Sequence, residues 1–273
     1  GGIGVGHGRF LVGDGHGSLR TRAISLARRC KPSGRALHHS LQHPPESRMN
    51  RTLLSLALVA ASGLAFAHDP ASPGRDIDKV NGGITAQAGQ AYGDLSTVNG
   101  GIDLERGARA EDVETVNGGI EAGDDVATRD VSTVNGGIRF GQRARIEGGL
   151  ETVNGGIYVD RGGRVRRSVE TVNGAIGLVD TDVGGGIETV NGDVTVGAGS
   201  HVKGGIHVEK PTQMGVRWGK QRVPRIVIGP NAVVEGNLVF EREVTLYVHQ
   251  SARIGNVSGA TAQRYSTATP PQD

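Results

Sequence analysis

The sequence predicts an all-β solenoid, a single-stranded β-helix of about 18 residues per rung, from three observations. A Thr-Val-Asn-Gly-Gly-Ile signal recurs along the chain. The residues that follow it alternate with the period of a strand, and no stretch has the spacing of an amphipathic helix. The asparagines of the signal follow one another at steps of 18 or 19 residues and stand at Asn81, Asn99, Asn117, Asn135, Asn154, Asn173 and Asn191. Because one copy is too short to bury an apolar face alone, the copies must stack to share a core.

One rung, residues 98–116, illustrates how the chain is expected to fold. Its apolar positions are Val98, Ile102, Leu104, Val113 and Val116. About 18 residues divide naturally into three short strands with tight corners between them. Successive rungs would then lie about 4.8 Å apart, which is the spacing of hydrogen-bonded strands. The sequence contains 46 glycines among 273 residues and only 3% aromatics, which suits a narrow core of aliphatic side chains.

The Asn-Gly pair of each signal predicts the corner. Asn and Gly take positive φ most readily, so the pair is expected to form a tight turn. Stacked in register, the asparagines would form a ladder in which each amide donates to the carbonyl oxygen of its neighbour. We interpret the motif as a turn rather than a ligand site. A second, outward-facing column is expected from the threonines of the signal, which are Thr97, Thr115, Thr133, Thr152, Thr171 and Thr189.

Residues 1–67 differ from the repeats. Residues 1–48 have no periodic pattern. We expect translation to start at Met49, so that residues 1–48 are a non-native extension; a disordered extension is the alternative. Residues 49–67 have the charged start, short apolar run and small-x-small ending of a secretory signal peptide, with cleavage before His68. We therefore expect an exported protein, in the periplasm or at the cell surface, with no transmembrane segment after signal removal. Residues 68–79 would form a leader.

Removal of residues 1–67 changes the charge of the chain. They carry 9 of the 30 basic and 2 of the 28 acidic residues, so the remainder has 21 basic against 26 acidic residues, a net charge of −5. This excludes a general case for nucleic-acid binding. The single cysteine, Cys30, is lost as well, which suits an oxidising compartment and excludes a thiolate metal site.

The solenoid is expected to span residues 80–257, interrupted by a loop at 209–225 and followed by a disordered tail at 258–273. The loop is rich in basic residues and contains the only tryptophan. Loops often carry binding residues, so this one is a possible binding loop, while Trp218 folding back as a lid is an equal alternative. The candidate binding residues are Arg217, Trp218, Lys220 and Arg222.

Two families share features with this sequence. Residues 226–257, which include the run Ile228-Gly229-Pro230-Asn231-Ala232-Val233-Val234-Glu235-Gly236-Asn237, resemble the polymer-forming bactofilins. The Val-Asn-Gly-Gly-Ile rungs resemble adhesin-like domains of bacteria. The bactofilin resemblance implies a right-handed, triangular β-helix that self-associates into filaments. The export signal departs from that cytoplasmic family.

Charged residues and histidines are the candidates for a chemical site. Glu114, Glu151, Glu170 and Glu188 hold the same phase of the repeat, and arginines on neighbouring rungs are Arg143, Arg145, Arg161, Arg164, Arg166 and Arg167. Paired carboxylates can perform acid–base catalysis, but solvated columns of alternating charge explain these residues more economically. His201 and His207 are close enough in sequence to meet across a corner, yet they lack a third ligand. The sequence therefore predicts no catalytic site, metal or cofactor.

These observations lead to one functional expectation and one alternative. We expect an exported structural solenoid that self-assembles end to end or scaffolds contacts at the cell envelope or surface, without catalysis. The alternative is an adhesin-like module that binds glycan through a rung face or through the basic loop around Trp218.

Overall fold

A computed structural model describes residues 74–211 and 222–271, and these residues form a parallel β-solenoid without a helix. The rungs contribute strands to three parallel sheets of ten, ten and seven strands, and each sheet runs along the solenoid axis. The predicted fold class is confirmed. The extension 1–48, the signal peptide 49–67 and residues 68–73 of the leader lie outside the described residues, as do Arg217, Trp218 and Lys220 of the loop.

The three sheets are numbered here in the order in which the chain enters them. The strands of the first sheet are Arg75–Asn81, Tyr92–Asn99, Val113–Asn117, Val131–Asn135, Leu150–Asn154, Val169–Asn173, Ile187–Thr189, Ile206–Val208, Leu238–Phe240 and Val257–Ser258. Those of the second sheet are Ile84–Ala86, Ile102–Leu104, Ile120–Ala122, Ile138–Phe140, Ile157–Val159, Ile176–Leu178, Val194–Val196, Arg225–Ile228, Thr245–His249 and Ala262–Tyr265. Those of the third sheet are Ala127–Thr128, Arg145–Ile146, Arg164–Val165, Asp182–Val183, His201–Val202, Val233–Val234 and Arg253–Ile254.

The register places equivalent residues of successive rungs directly beside one another. In the first sheet, Val113 pairs with Val131, which pairs in turn with Leu150. The offset between stacked asparagines is 18 residues in some turns and 19 in others, close to the predicted value. Since the register is regular, the phase of a residue within the repeat determines its position on the solenoid.

The core is a set of inward-facing aliphatic columns. In the second sheet, Ile102, Ile120 and Ile138 stack with no more than 1% of their surface exposed. Burial of each such side chain contributes about 1.5–3 kcal/mol. Phe140 is fully buried, and the small Ala122 precedes it in the same column, which leaves room for the ring. This explains why a chain with so few aromatics still fills its interior.

The motif glycines are required by the close approach of rungs rather than by positive φ. Among the described residues, only Gly82 of the first-glycine positions has a positive φ, of 98°, and no ladder asparagine does. The prediction of a positive-φ corner is therefore wrong. A Cβ on Gly118 would overlap the carbonyl oxygen of Gly100 in the preceding rung. At the second position the space is larger, because a Cβ on Gly119 would lie 3.4 Å from the Gly137 oxygen.

The solenoid extends further at both ends than the sequence indicates. Its first strand begins at Arg75, inside the expected leader, and its last strand is Ala262–Tyr265, inside the expected disordered tail. The prediction of a disordered tail from residue 258 is therefore wrong. Tyr265 is held in place by its hydroxyl, which donates to the Ile228 carbonyl oxygen at 3.2 Å. The Tyr265 ring also meets His249 edge to face at 5.0 Å between centroids. Within the described ranges, no helix is long and apolar enough to cross a membrane.

Candidate functional site

The predicted asparagine ladder is present as one continuous file at the corner between the first and second sheets. Each Asn Nδ2 donates to the Oδ1 of the preceding Asn, at distances of 3.2, 3.0, 2.9, 3.0, 3.0 and 2.9 Å from Asn99 to Asn191. The asparagines are exposed. Arg242 terminates the file, because its guanidinium donates to Asn191 Oδ1 at 2.6 Å and to the Val190 carbonyl oxygen at 2.9 Å. The ladder is thus a structural element with a cationic cap.

The threonine column faces the interior, which corrects the prediction of an outward column. Thr133, Thr152 and Thr171 have no exposed surface. Each hydroxyl donates to a glycine carbonyl oxygen of the preceding corner, for example Thr133 to Gly118 at 3.0 Å. The hydroxyl satisfies a backbone acceptor that the tight corner would otherwise leave without a donor, so the polar group is compatible with burial.

A file of carboxylates runs along the outer side of the first sheet. Glu151, Glu170 and Glu188 are register partners on consecutive rungs, and Glu114 lies two rungs before Glu151 in the same file. Burial, followed by the charges of the neighbouring carboxylates, raises the pKa of Glu151 to about 7. Burial is also the main reason why the pKa of Glu114 is raised. The file is confirmed, and its members are less solvated than the sequence suggests.

A second acidic file, the aspartate ladder, was missed by the sequence analysis. It consists of Asp76, Asp94, Asp112 and Asp130, and each carboxylate accepts a backbone N–H of the next rung. The distances from N–H nitrogen to carboxylate oxygen range from 2.8 to 3.3 Å. Each of the four lies five residues before a ladder asparagine. This constant position in the repeat could have predicted the aspartate ladder from the sequence. The two files border a small acidic cleft near Ser96.

Several arginines of the third sheet and its neighbouring turns are paired with carboxylates. Arg164 contacts Asp182 at 3.2 Å, and Arg166 contacts Glu147 at 2.9 Å. Arg143 contacts Asp125, with 2.8 Å between nitrogen and oxygen. These side chains are largely exposed, so each pair contributes only about 0–1 kcal/mol. Alternating surface charge, as predicted, accounts for these residues.

The described end of the basic loop is tied to the solenoid. Arg222 donates to Asp193 Oδ2 at 2.5 Å, and its carbonyl oxygen accepts from Arg242 at 3.1 Å. Arg222 therefore has a structural partner at the second-sheet corner. The other candidate binding residues, Arg217, Trp218 and Lys220, lie outside the described part of the chain.

The two histidines singled out in the sequence occupy different sheets. His201 lies in the third sheet and contacts Glu235 at 2.7 Å, whereas His207 lies in the first sheet and contacts Glu241 at 3.0 Å. His207 forms a cluster with Glu188 and Glu209, in which one donor atom of each residue lies within 4.8 Å of the others. We call this set the His207 cluster. Glu188 belongs to the preceding rung, 19 residues before His207, and its place beside His207 was not predicted from the sequence.

Where the structure describes it, the second sheet carries two cation–aromatic pairs, Arg225 with Tyr247 at 4.9 Å and, in the middle rungs, Arg139 with Tyr158. The Arg139 guanidinium lies 5.0 Å from the centroid of the Tyr158 ring in the next rung. Gly177 follows Tyr158 in the same column, and a Cβ there would lie 3.2 Å from the ring. The surface around the Arg139–Tyr158 pair is shallow and lined by corner glycines.

The comparisons with known proteins add no family. No protein-family model, curated protein or solved structure matches this chain.

Proposed function

We propose that the protein is a structural solenoid that self-associates end to end, with no catalytic step. The single observation that carries the proposal is that the terminal strands each have one edge without a neighbouring strand within residues 74–211 and 222–271. Among the described residues, Arg75–Asn81 pairs only with Tyr92–Asn99, and Ala262–Tyr265 pairs only with Thr245–His249. Each therefore offers one strand edge on which a further parallel strand can add.

The exposure of the end turns supports this proposal. The first strand is mostly exposed, and Val80 has 64% of its surface accessible. At the other end Ile254, Val257 and Ala262 are only partly buried, whereas equivalent residues of the middle rungs are fully buried. A repeat protein needs polar caps to stay monomeric, so a second copy of this chain is the partner that fits such ends.

The proposed setting is the cell envelope or surface. It rests on the signal-like residues 49–67 and on the absence of cysteine after them. The resemblance of residues 226–257 to bactofilins favours self-assembly, and the resemblance of the Val-Asn-Gly-Gly-Ile rungs to adhesin-like domains favours a surface role.

The test is the association state of the full chain and of the chain from His68, measured by light scattering and electron microscopy over a range of concentrations. We expect concentration-dependent oligomers or filaments. Val80→Lys places a charge on the first strand and should reduce association, because charged residues discourage pairing at strand edges. Val134→Lys, at the equivalent repeat position in a middle strand of the same sheet, is the matched control. A monomer at every concentration would reject the proposal.

A second candidate function is glycan binding, and the Arg139–Tyr158 pair favours it. An aromatic ring beside a guanidinium on a shallow surface suits a sugar ring with an anionic substituent. Tyr158→Ala should weaken retention on immobilised anionic glycan, while Arg145→Ala, on the third sheet, should leave retention unchanged. Equal retention of wild type and Tyr158→Ala would exclude this surface.

A further inference from the structure

We propose that Glu188, His207 and Glu209 bind a zinc-class divalent metal ion on the outer side of the first sheet. The site does not depend on end-to-end association, and the two proposals can fail separately.

The backbone brings the three ligands together. Glu188 and His207 are register partners on adjacent rungs. Glu209 follows His207 by two residues, and residues two apart in a strand project to the same side. One donor atom from each residue lies within 4.8 Å of the other two. Small side-chain rotations can bring donors at such separations to the 2.0–2.2 Å that zinc requires from nitrogen and carboxylate oxygen.

The contact of His207 with Glu241 prepares the ring for a metal. Nε2 lies 3.0 Å from Glu241 Oε1, which assigns the N–H to Nε2 and leaves the lone pair on Nδ1. Glu241 is itself held by the backbone N–H of Lys210 at 3.2 Å. A metal-binding histidine usually donates its other N–H to a carboxylate in this way.

The buried negative charge around the cluster is a second, independent observation. Glu209 is only 4% exposed, and Glu170, the register partner of Glu188, is only 7% exposed. Ser168 donates to Glu170 Oε1 at 2.6 Å, but Oε2 of Glu170 is buried without a hydrogen-bond partner in the described part of the chain. A buried carboxylate oxygen without a hydrogen-bond donor is costly, and a cation bound beside Glu188, the register partner of Glu170, would compensate it. The mixed nitrogen and oxygen donors favour zinc over calcium or magnesium, which prefer oxygen alone.

The test uses the full chain after chelation and measures Zn²⁺ stoichiometry by calorimetry. His207→Gln and Glu209→Gln should each lose one equivalent relative to wild type. His201→Gln is the matched control, because His201 also has a glutamate partner but lies outside the cluster; it should retain the wild-type number. Since the chain has nine histidines, the difference in stoichiometry decides the question rather than the total. Equal stoichiometry in wild type and both cluster variants overturns the proposal.

A second measurement covers the case in which a cluster variant does not fold. In wild-type protein, Zn²⁺ should shift the imidazole NMR signals of His207 at the first equivalent and raise the melting temperature. A first equivalent that shifts the signals of other histidines and leaves those of His207 unchanged overturns the proposal.

Discussion

At the scale of single residues, the two glycines of each corner have different tasks. The first, such as Gly118, lies against the carbonyl oxygen of the corner below it. The second has enough space that Ala175 and Asp193 occupy its place in later rungs. The chain keeps glycine at the first position in all seven corners, from Gly82 to Gly192. Contact between rungs, rather than φ, is the physical reason from Gly100 to Gly192, whereas Gly82 has a φ of 98° and a Cβ there would have no atom within 4 Å.

We predict that Gly118→Ala destabilises the solenoid and that Gly119→Ala does so much less. The added methyl at Gly118 overlaps backbone that cannot move without disturbing the ladder, and overpacking of this kind costs about 1–3 kcal/mol. At Gly119 the nearest atom would be 3.4 Å away. The free energies of unfolding in urea compare the two variants. Equal destabilisation would show that close approach is not what selects the first glycine.

Thr133 lies on the inner side of the first sheet because its hydroxyl has a partner there, the Gly118 carbonyl oxygen. Thr133→Val keeps the shape but removes the donor, and the buried oxygen then lacks its hydrogen bond, at a cost of about 1–3 kcal/mol. Thr195→Val, at an exposed position of the second sheet, should change stability by no more than about 0.5 kcal/mol. Urea unfolding measures both, and a neutral Thr133→Val would contradict the role assigned to the column.

At the scale of the element, the first sheet combines the two acidic files on its outer side. The aspartate ladder uses its carboxylates to accept backbone N–H groups, so its negative charge contributes to rung stacking. The glutamates of the other file do not all accept backbone N–H groups in this way. Burial of the Glu151 carboxyl, followed by the charge of Glu170 stacked beside it, raises the pKa of Glu151 to about 7.

The raised pKa of Glu151 makes stability depend on pH with a defined sign. Between its ordinary value of 4.5 and about 7, the folded chain binds more protons at this group than the unfolded chain. Stability from this group is therefore complete below about 4.5, falls as pH rises through 7, and then stays level. The urea concentration at the midpoint of unfolding should decrease as the pH is raised from about 5 to about 7.5. Glu151→Gln should make this decrease smaller.

The control for this experiment is Glu121→Gln, which alters an exposed glutamate on the second sheet. It should keep the pH dependence of wild type. If Glu151→Gln keeps it as well, burial of the Glu151 carboxylate does not govern the pH response.

At the scale of the whole molecule, each rung contacts mainly the rung before and the rung after it. Stability of such an array is close to a sum of rung and interface terms. Removal of one complete rung should therefore shorten the solenoid without changing its fold.

We predict that deletion of residues 118–135, one 18-residue rung, gives a folded protein of lower stability. The deletion joins Asn117 to Gly136 and restores the corner sequence and the register of all three sheets. Deletion of only residues 118–126 removes half a rung, so the residues that follow no longer match the register of the rung before. Their apolar side chains would then face outward, which should prevent folding of the flanking rungs. Far-ultraviolet circular dichroism and urea unfolding distinguish the two. Loss of structure in the full-rung deletion would contradict the additive picture.

The candidate sites were less predictable than the fold. The glutamate file and the asparagine ladder follow from phase alone, and the aspartate ladder could have been found in the same way. The His207 cluster needed the pairing of His207 with Glu188 across rungs and with Glu241 beyond the loop. Glu188 and His207 are one 19-residue period apart, so their phase could have been used, whereas the loop breaks the period between His207 and Glu241.

The sequence by itself determined the solenoid, its three strands per rung and the file of asparagines, because in-register parallel stacking converts a constant period into a constant position. Only the tertiary structure decided which way the threonines face, why the first glycine is required, and which carboxylates are desolvated. These depend on how closely adjacent rungs approach and on the angle of each corner. A repeat period specifies neither quantity.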